Sequence, residues 1–262
     1  MKWIIALAAA CAAAPAQAEE PRDFCPDRPG LGTPPCTIDK GRVAFELGLA
    51  DWTLEREGGE RTDTFEFADS LIRFGLTDSL EAQIGWTAFG HVRERGPGGR
   101  STDSGIGDVR VALRQNLANP DGSGFSAAVM PYATIPTGGS AIGAGDWSGG
   151  VLVPLSYELS KGLQLQFTAK AEAAADEDRD GRHLAYGAVA GLAVPLGETV
   201  DATFEFSATR DRDPAGHETE LIGALSAGWL ATPDFQIDAG ANVGLNRAAP
   251  DVELYVGLAR RF

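Results

Sequence analysis

Apolar and polar side chains alternate with a period of two along nearly the whole chain, and this pattern limits its fold more than any other feature. In FQIDAGANVGLN, residues 235–246, Phe235, Ile237, Ala239, Ala241, Val243 and Leu245 fall on one side, with Gln236, Asp238, Asn242 and Asn246 on the other. Only an extended strand sends alternate residues to opposite faces, so each such segment reads as a strand between an apolar and an aqueous medium. VDATFEFSAT repeats the split, with Val200, Ala202, Phe204 and Phe206 opposing Asp201, Thr203, Glu205 and Ser207; LQLQFTAKAE, LEAQIGW and DVRVALR do the same. A soluble sandwich also alternates, so the pattern needs support from the connections.

Twelve strands are predicted, starting near Arg42, Asp63, Leu80, Gly105, Gly124, Trp147, Leu163, Arg182, Val200, Glu218, Phe235 and Asp251. One set of connections is short and turn-like: LTDS (76–79), SKG (160–162), GET (197–199), TPD (232–234) and the somewhat longer ANPDGSG (118–124). The other set is charged or Gly-rich and mostly longer: EREGGER (55–61), ERGPGGRSTDS (94–104), PTGGSAIGAGD (136–146), ADEDRDG (175–181) and RDRDPAGH (210–217). Short turns at one end and long loops at the other are the plan of a membrane-spanning barrel. An even number of antiparallel strands lets the first pair with the last, which leaves no unpaired edge in lipid. The fold class predicted is all-β: a transmembrane antiparallel barrel of about twelve strands over residues 41–262.

The polar parity predicts a lumen lined by Glu46, Glu81, Asp108, Arg110, Arg114, Lys170, Glu172, Asp201, Glu205, Asp238 and Glu253. Both signs are present, so these groups can either close a narrow pore through ion pairs or line a polar conduit. A barrel of this size falls between the filled eight-stranded barrels and the open ones of 16 to 18 strands. Trp86 and Trp229 share the apolar parity of their strands and fit interfacial girdles.

The amino-terminal sequence MKWIIALAAACAAAPAQAEE has one Lys, an apolar run and Ala16-Gln17-Ala18, the pattern of a secretory signal over residues 1–18 cleaved after Ala18. Cleavage takes Lys2 with it and moves the formal charge from −15 to −16. So acidic a chain would be repelled by the phosphates of nucleic acid, which is excluded as a partner. Cys11 leaves with the signal. Cys25 and Cys36 remain in the segment 19–40, expected on the periplasmic side, and in an oxidising envelope they are expected to form a disulfide. At the other end, DVELYVGLARRF gives Val252, Leu254, Val256, Leu258 and Phe262 one parity, and a closing strand ending in an aromatic is what the barrel-assembly machinery reads.

DEDRDGRH, residues 176–183, places Asp176, Asp178, Asp180 and Gly181 at positions 1, 3, 5 and 6 of a calcium-loop pattern. Position 12, which should be a bidentate acid, is Gly187. The segment therefore reads first as a solvated acidic loop tip on the extracellular side, with the three aspartates as candidate metal ligands only. His91, His183 and His217 all fall near extracellular strand ends. A lipid hydrolase would need one of them beside a hydroxyl, and His217 with Thr219 is the nearest local match. No catalytic set, cofactor motif or energy-coupling motif stands out, and a non-enzymatic chain is expected.

FCPDRPGLGTPPCTIDKGRVAFELGL, residues 24–49, resembles bacterial outer-membrane proteins of the MetA-pathway phenol-degradation family. DSLIRFGLTDSLEAQIGW, GIGDVRVALRQNL, VLVPLSYELSKGLQLQ and the closing RF fit the same family. The resemblance implies an outer-membrane barrel of a Gram-negative bacterium, in contact with its lipids and acting as a transporter of small aromatic compounds. The function expected is passive passage of small hydrophobic or aromatic solutes, with a structural or adhesive surface barrel as the alternative.

Overall fold

A computed structural model of the protein describes residues 21–262 apart from Lys161, so the signal expected at 1–18 lies outside the described residues. The described residues contain no helix. They form β1 (Val43–Glu57), β2 (Glu60–Gly75), β3 (Leu80–Gly96), β4 (Gly99–Gly105), β5 (Val109–Ala118), β6 (Phe125–Ile135), β7 (Ser148–Ser160), β8 (Leu163–Ala175), β9 (Arg182–Pro195), β10 (Val200–Arg210), β11 (Thr219–Thr232), β12 (Phe235–Gly244) and β13 (Val252–Arg261).

The sheet closes on itself. β1 pairs antiparallel with β13, from Ala44 opposite Arg261 to Leu54 opposite Val252, and with β2 on its other side. The Phe262 N–H donates to the Val43 carbonyl, so the terminal residue is part of this seam. β4 and β5 share β3 as partner: β4 pairs with Gly90–Gly96 and β5 with Leu80–Gly85. They are one stave of the wall broken at residues 106–108, which gives a twelve-stave antiparallel barrel, the number predicted. The single strand predicted from Gly105 is interrupted because its polar groups turn elsewhere. Gly107 N–H donates to the Thr87 carbonyl, and the Asp108 carboxylate accepts the N–H groups of Gly138 and Ala144 in the loop 136–146. The charged stretches 55–61 and 94–104 are ladder rather than open loop, since Glu57 pairs with Glu60 and Arg95 with Arg100.

Burial is the reverse of a soluble domain. Phe204 is 54% exposed and Val243 46%, whereas Arg73, Arg114 and Glu81 are 0% exposed. Leu225, Trp229, Trp86 and Leu254 are likewise exposed. So extensive an apolar exterior does not fit water and does fit hydrocarbon, which separates the barrel from the sandwich. The small apolar clusters that are buried sit inside the wall, one around Phe24, Ile38, Ala44 and Ala259.

The segment expected on the periplasmic side enters the lumen. Its residues 24–38 rise from the short-turn end, where β1 and β3 start, to the middle of the wall at Thr168 and Glu205.

Lipid-facing and lumen-facing neighbours on β10 should respond differently to charge. Phe204→Arg should cost about 2–4 kcal/mol of folding free energy, as Arg does near a bilayer midplane. Thr203→Arg, facing open lumen, should cost clearly less. Urea titration of folding into lipid vesicles, followed by tryptophan fluorescence, gives the comparison.

Candidate functional site: a plugged lumen and its rim

A tubular wall carrying ionised side chains inward must neutralise them or fill with water. At the short-turn end neutralisation prevails. Arg73 lies 3.1 Å from Asp27, 3.0 Å from Glu46 and 3.0 Å from Glu81, and it donates to the Cys25 carbonyl at 2.7 Å. Arg114 reaches Asp27 at 2.6 Å, Glu81 at 3.2 Å and the Cys36 carbonyl at 3.0 Å. Two guanidiniums thus face three carboxylates. The surplus negative charge meets the backbone N–H groups of Asp27 and Arg28, which donate to Glu46, and of Ile38, which donates to Glu81. Arg28 in turn pairs with Asp238 at 3.0 Å.

The plug belongs to the wall electrically as well as sterically. Cys25 and Cys36 are joined in a disulfide that closes its loop. At the tip, Glu205 accepts the N–H groups of Leu31 and Gly32, both at 2.8 Å, while the Thr33 N–H donates to the Thr168 hydroxyl. Close approach explains the two glycines there. A Cβ on Gly30 would fall 2.7 Å from a Glu205 oxygen and one on Gly32 2.9 Å, and Gly30 also has φ +120°.

Above the tip, toward the long loops, the lumen opens into a vestibule of about 320 Å³ bordered by Leu31, Arg110, Tyr132, Lys170, Glu172 and Ser207. The Arg110 guanidinium stacks 4.0 Å from the Tyr132 ring centroid. Lys170 is paired with Glu172 at 2.8 Å, and the Ser148 hydroxyl donates to the same carboxylate. Among the described residues no carboxylate lies within ion-pair distance of Arg110, whose Nε has no hydrogen-bond partner. A second cavity of about 270 Å³ runs beside the plug past Asp69, Gln83 and Met130 and is also lined by Arg110. A third, of about 310 Å³, opens at the short-turn mouth beside Gln166, Asp201 and Thr203.

The residues predicted to line the lumen therefore divide by task. Glu46, Glu81, Arg114, Glu205 and Asp238 hold the plug; Arg110, Lys170 and Glu172 face the vestibule; Asp201 lies at the short-turn mouth. Asp108 anchors a loop, and Glu253 accepts the Asn242 amide at 2.8 Å. Sequence reasoning missed Arg73, Asp27 and Arg28. Arg73 alternates with the apolar Ile72 and Phe74 and was findable by parity, but the plug residues follow no periodicity.

The long-loop rim brings other groups together. His183 Nδ1 is 2.8 Å from Asp176 Oδ1 and 3.3 Å from Asp213 Oδ2, while its Nε2 is 2.7 Å from Asp211 Oδ1. The N–H groups of Ala215 and Glu177 donate to Asp213 and hold its carboxyl below the usual carboxylate range. Asp178 and Asp180 are exposed, and Asp178 accepts the Asp180 N–H instead of converging with Asp176. His91 Nδ1 lies 2.7 Å from the Ser104 hydroxyl on an exposed cross-strand pair, and Thr219 accepts a hydrogen bond from Arg210.

Removing one member of the buried network should strand the others. Arg73→Ala leaves Glu46 and Glu81 short of their counter-charge, and breaking such a pair from one side costs about 3–5 kcal/mol. The urea midpoint of the variant in vesicles should fall accordingly, while Arg93→Ala, on the outer hairpin, should leave it almost unchanged.

Among solved structures the chain is similar in fold to the NanC porin, with 9% identity, a TM-score of 0.52, and coverage of 83% of this chain and 98% of that one. The KdgM porin in complex with disordered oligogalacturonate gives 7% identity and a TM-score of 0.52, covering 84% of this chain and 99% of the other. The translocator domain of the autotransporter NalP from Neisseria meningitidis gives 15% identity and a TM-score of 0.51, covering 86% and 89%. No curated protein is close enough in sequence to count as a relative. The family described as "Putative MetA-pathway of phenol degradation" matches residues 26–262, plug as well as barrel, and the chain belongs to that family.

Proposed function

We propose that the protein is an outer-membrane channel of a Gram-negative cell through which small hydrophobic or aromatic solutes pass down their gradient. The observation that carries the reading is the vestibule floored by the plug tip, with Arg110 free of any carboxylate partner among the described residues and stacked on Tyr132. A dry cavity of about 150 Å³ already accepts benzene, so the vestibule is large enough for one substituted ring. Its walls offer an aromatic face, an unneutralised cation and hydroxyls, a set that suits a ring bearing an acidic or phenolic oxygen. The fold likeness to porins supports a conduit, and only the family description points toward aromatic solutes. The path we favour follows the side of the plug, because Arg110 borders both the vestibule and the adjoining cavity. On this reading the partners are outer-membrane lipids on the apolar exterior, the assembly machinery at the strand ending in Phe262, and the solute.

A second reading, a structural surface barrel without transport, draws on the same plug, since its charge network fills the short-turn end of the lumen. Flux separates the two. Purified protein in liposomes should speed entry of benzoate and of phenol above protein-free vesicles. Arg110→Glu should slow benzoate several-fold more than phenol. Flux equal to that of empty vesicles for both solutes would favour the structural barrel. Cys25→Ser with Cys36→Ser, which frees the plug loop, should raise flux of both.

A further inference from the structure

At the long-loop rim two loops that are distant in sequence meet on one imidazole. The geometry points to a divalent transition-metal site, of the kind Zn²⁺ occupies, formed by His183 Nδ1, Asp176 and Asp213, with Asp211 orienting the ring from the Nε2 side.

The three donor atoms lie within 4.8 Å of one another, and two of the separations are 2.8 and 3.3 Å. Nitrogen and oxygen ligands bound at about 2.0–2.2 Å to one tetrahedral ion sit roughly 3.3–3.5 Å apart, so small movements would complete such a shell. A fourth position would be left for water. Charge argues the same way. Asp176, Asp211 and Asp213 have His183 as their ion-pair partner and no Lys or Arg among the described residues. The nearby Arg179 donates to the Ser140 carbonyl instead, and Arg212 lies over Tyr186.

The histidine supplies an independent observation. Its side chain is only 7% exposed although it sits at the rim. One nitrogen, Nδ1, faces two carboxylate oxygens, one from Asp176 and one from Asp213. The other, Nε2, is buried close to Asp211 yet makes no aligned hydrogen bond. A cation shared by Nδ1 and these oxygens would leave Nε2–H for Asp211, the carboxylate–histidine arrangement that fixes the tautomer of a metal-ligating imidazole. Backbone N–H groups already hold both Asp213 oxygens in place. The donor set, one imidazole and few oxygens, suits Zn²⁺ or its neighbours better than Ca²⁺, which takes 6–8 oxygens. Such an ion would staple the loop 176–181 to the loop 211–217.

Untagged, metal-stripped protein in detergent micelles, titrated with Zn²⁺ by calorimetry and with Co²⁺ by visible absorption, tests this. One ion per chain is expected. His183→Ala and Asp213→Asn should each weaken binding at least tenfold, and Asp178→Asn should leave it unchanged. Gel mobility without boiling verifies that each variant is folded. Absence of saturable binding, or undiminished binding by folded His183→Ala or Asp213→Asn, would overturn the assignment.

Discussion

Hydrocarbon offers no hydrogen bonds, and that single fact governs the wall of this protein. Every strand that crosses lipid must give its N–H and C=O groups to neighbours, and only a closed ladder leaves none over. The pairing of β1 with β13 is therefore the seam on which the rest depends. Closure explains the even number of staves and the placement of the terminal Phe262 N–H on Val43. It also explains why the one break in the ladder, at residues 106–108, is repaired by Thr87 and by the loop 136–146 and not left open.

Once the apolar parity is committed to lipid, most ionised groups of the staves are driven inward, and the lumen inherits an electrostatic problem that its wall cannot solve alone. Arg73 and Arg114 neighbour wall carboxylates, but their arrangement is completed by Asp27 and by carbonyls at Cys25 and Cys36. Glu205 is met by backbone N–H groups, and Glu46 by two of them beside Arg73, donors that any sequence can supply provided that the chain comes close enough. This accounts for glycine at residues 30 and 32 more directly than any need for flexibility.

The staves were legible from sequence because a strand between two media writes its geometry into alternate residues. Phe204 and Glu205 on β10 report their faces by parity alone, and the structure exposes the first and buries the second. The plug was not legible, since a coil that pairs with the wall through its own amides carries no periodic signature. Its only hints were two cysteines and the charged pair Asp27-Arg28 between them. The break between β4 and β5 was hidden for a similar reason: Asp108 continues the polar parity of its strand, and nothing local shows that its carboxylate is taken by a loop thirty residues on. At the rim, Asp176 was visible in an acidic repeat, but its partners His183 and Asp213 reach it from a strand end and from a different loop.

The unequal anchoring of the plug bears on how a filled lumen would conduct under the proposed channel function. Its base is tied by the charged contacts of Asp27, Arg28, Arg73 and Arg114, and moving it would strand several buried ions at once. Its tip is tied by Glu205 and Thr168 through neutral amide donors, and those amides would find water in the vestibule on release. Displacing the tip strands one carboxylate, Glu205, whereas displacing the base strands several charges of both signs, so the tip is the cheaper end to move. The cavity beside the plug, bordered by Gly30, Leu31, Gly32 and Thr33 from the tip and by Arg110 from the wall, already lies along the segment that moves most cheaply. On the proposed channel reading, a path past the plug would open by a local shift of residues 30–33, with the disulfide-closed base left in place as the floor that keeps the lumen narrow.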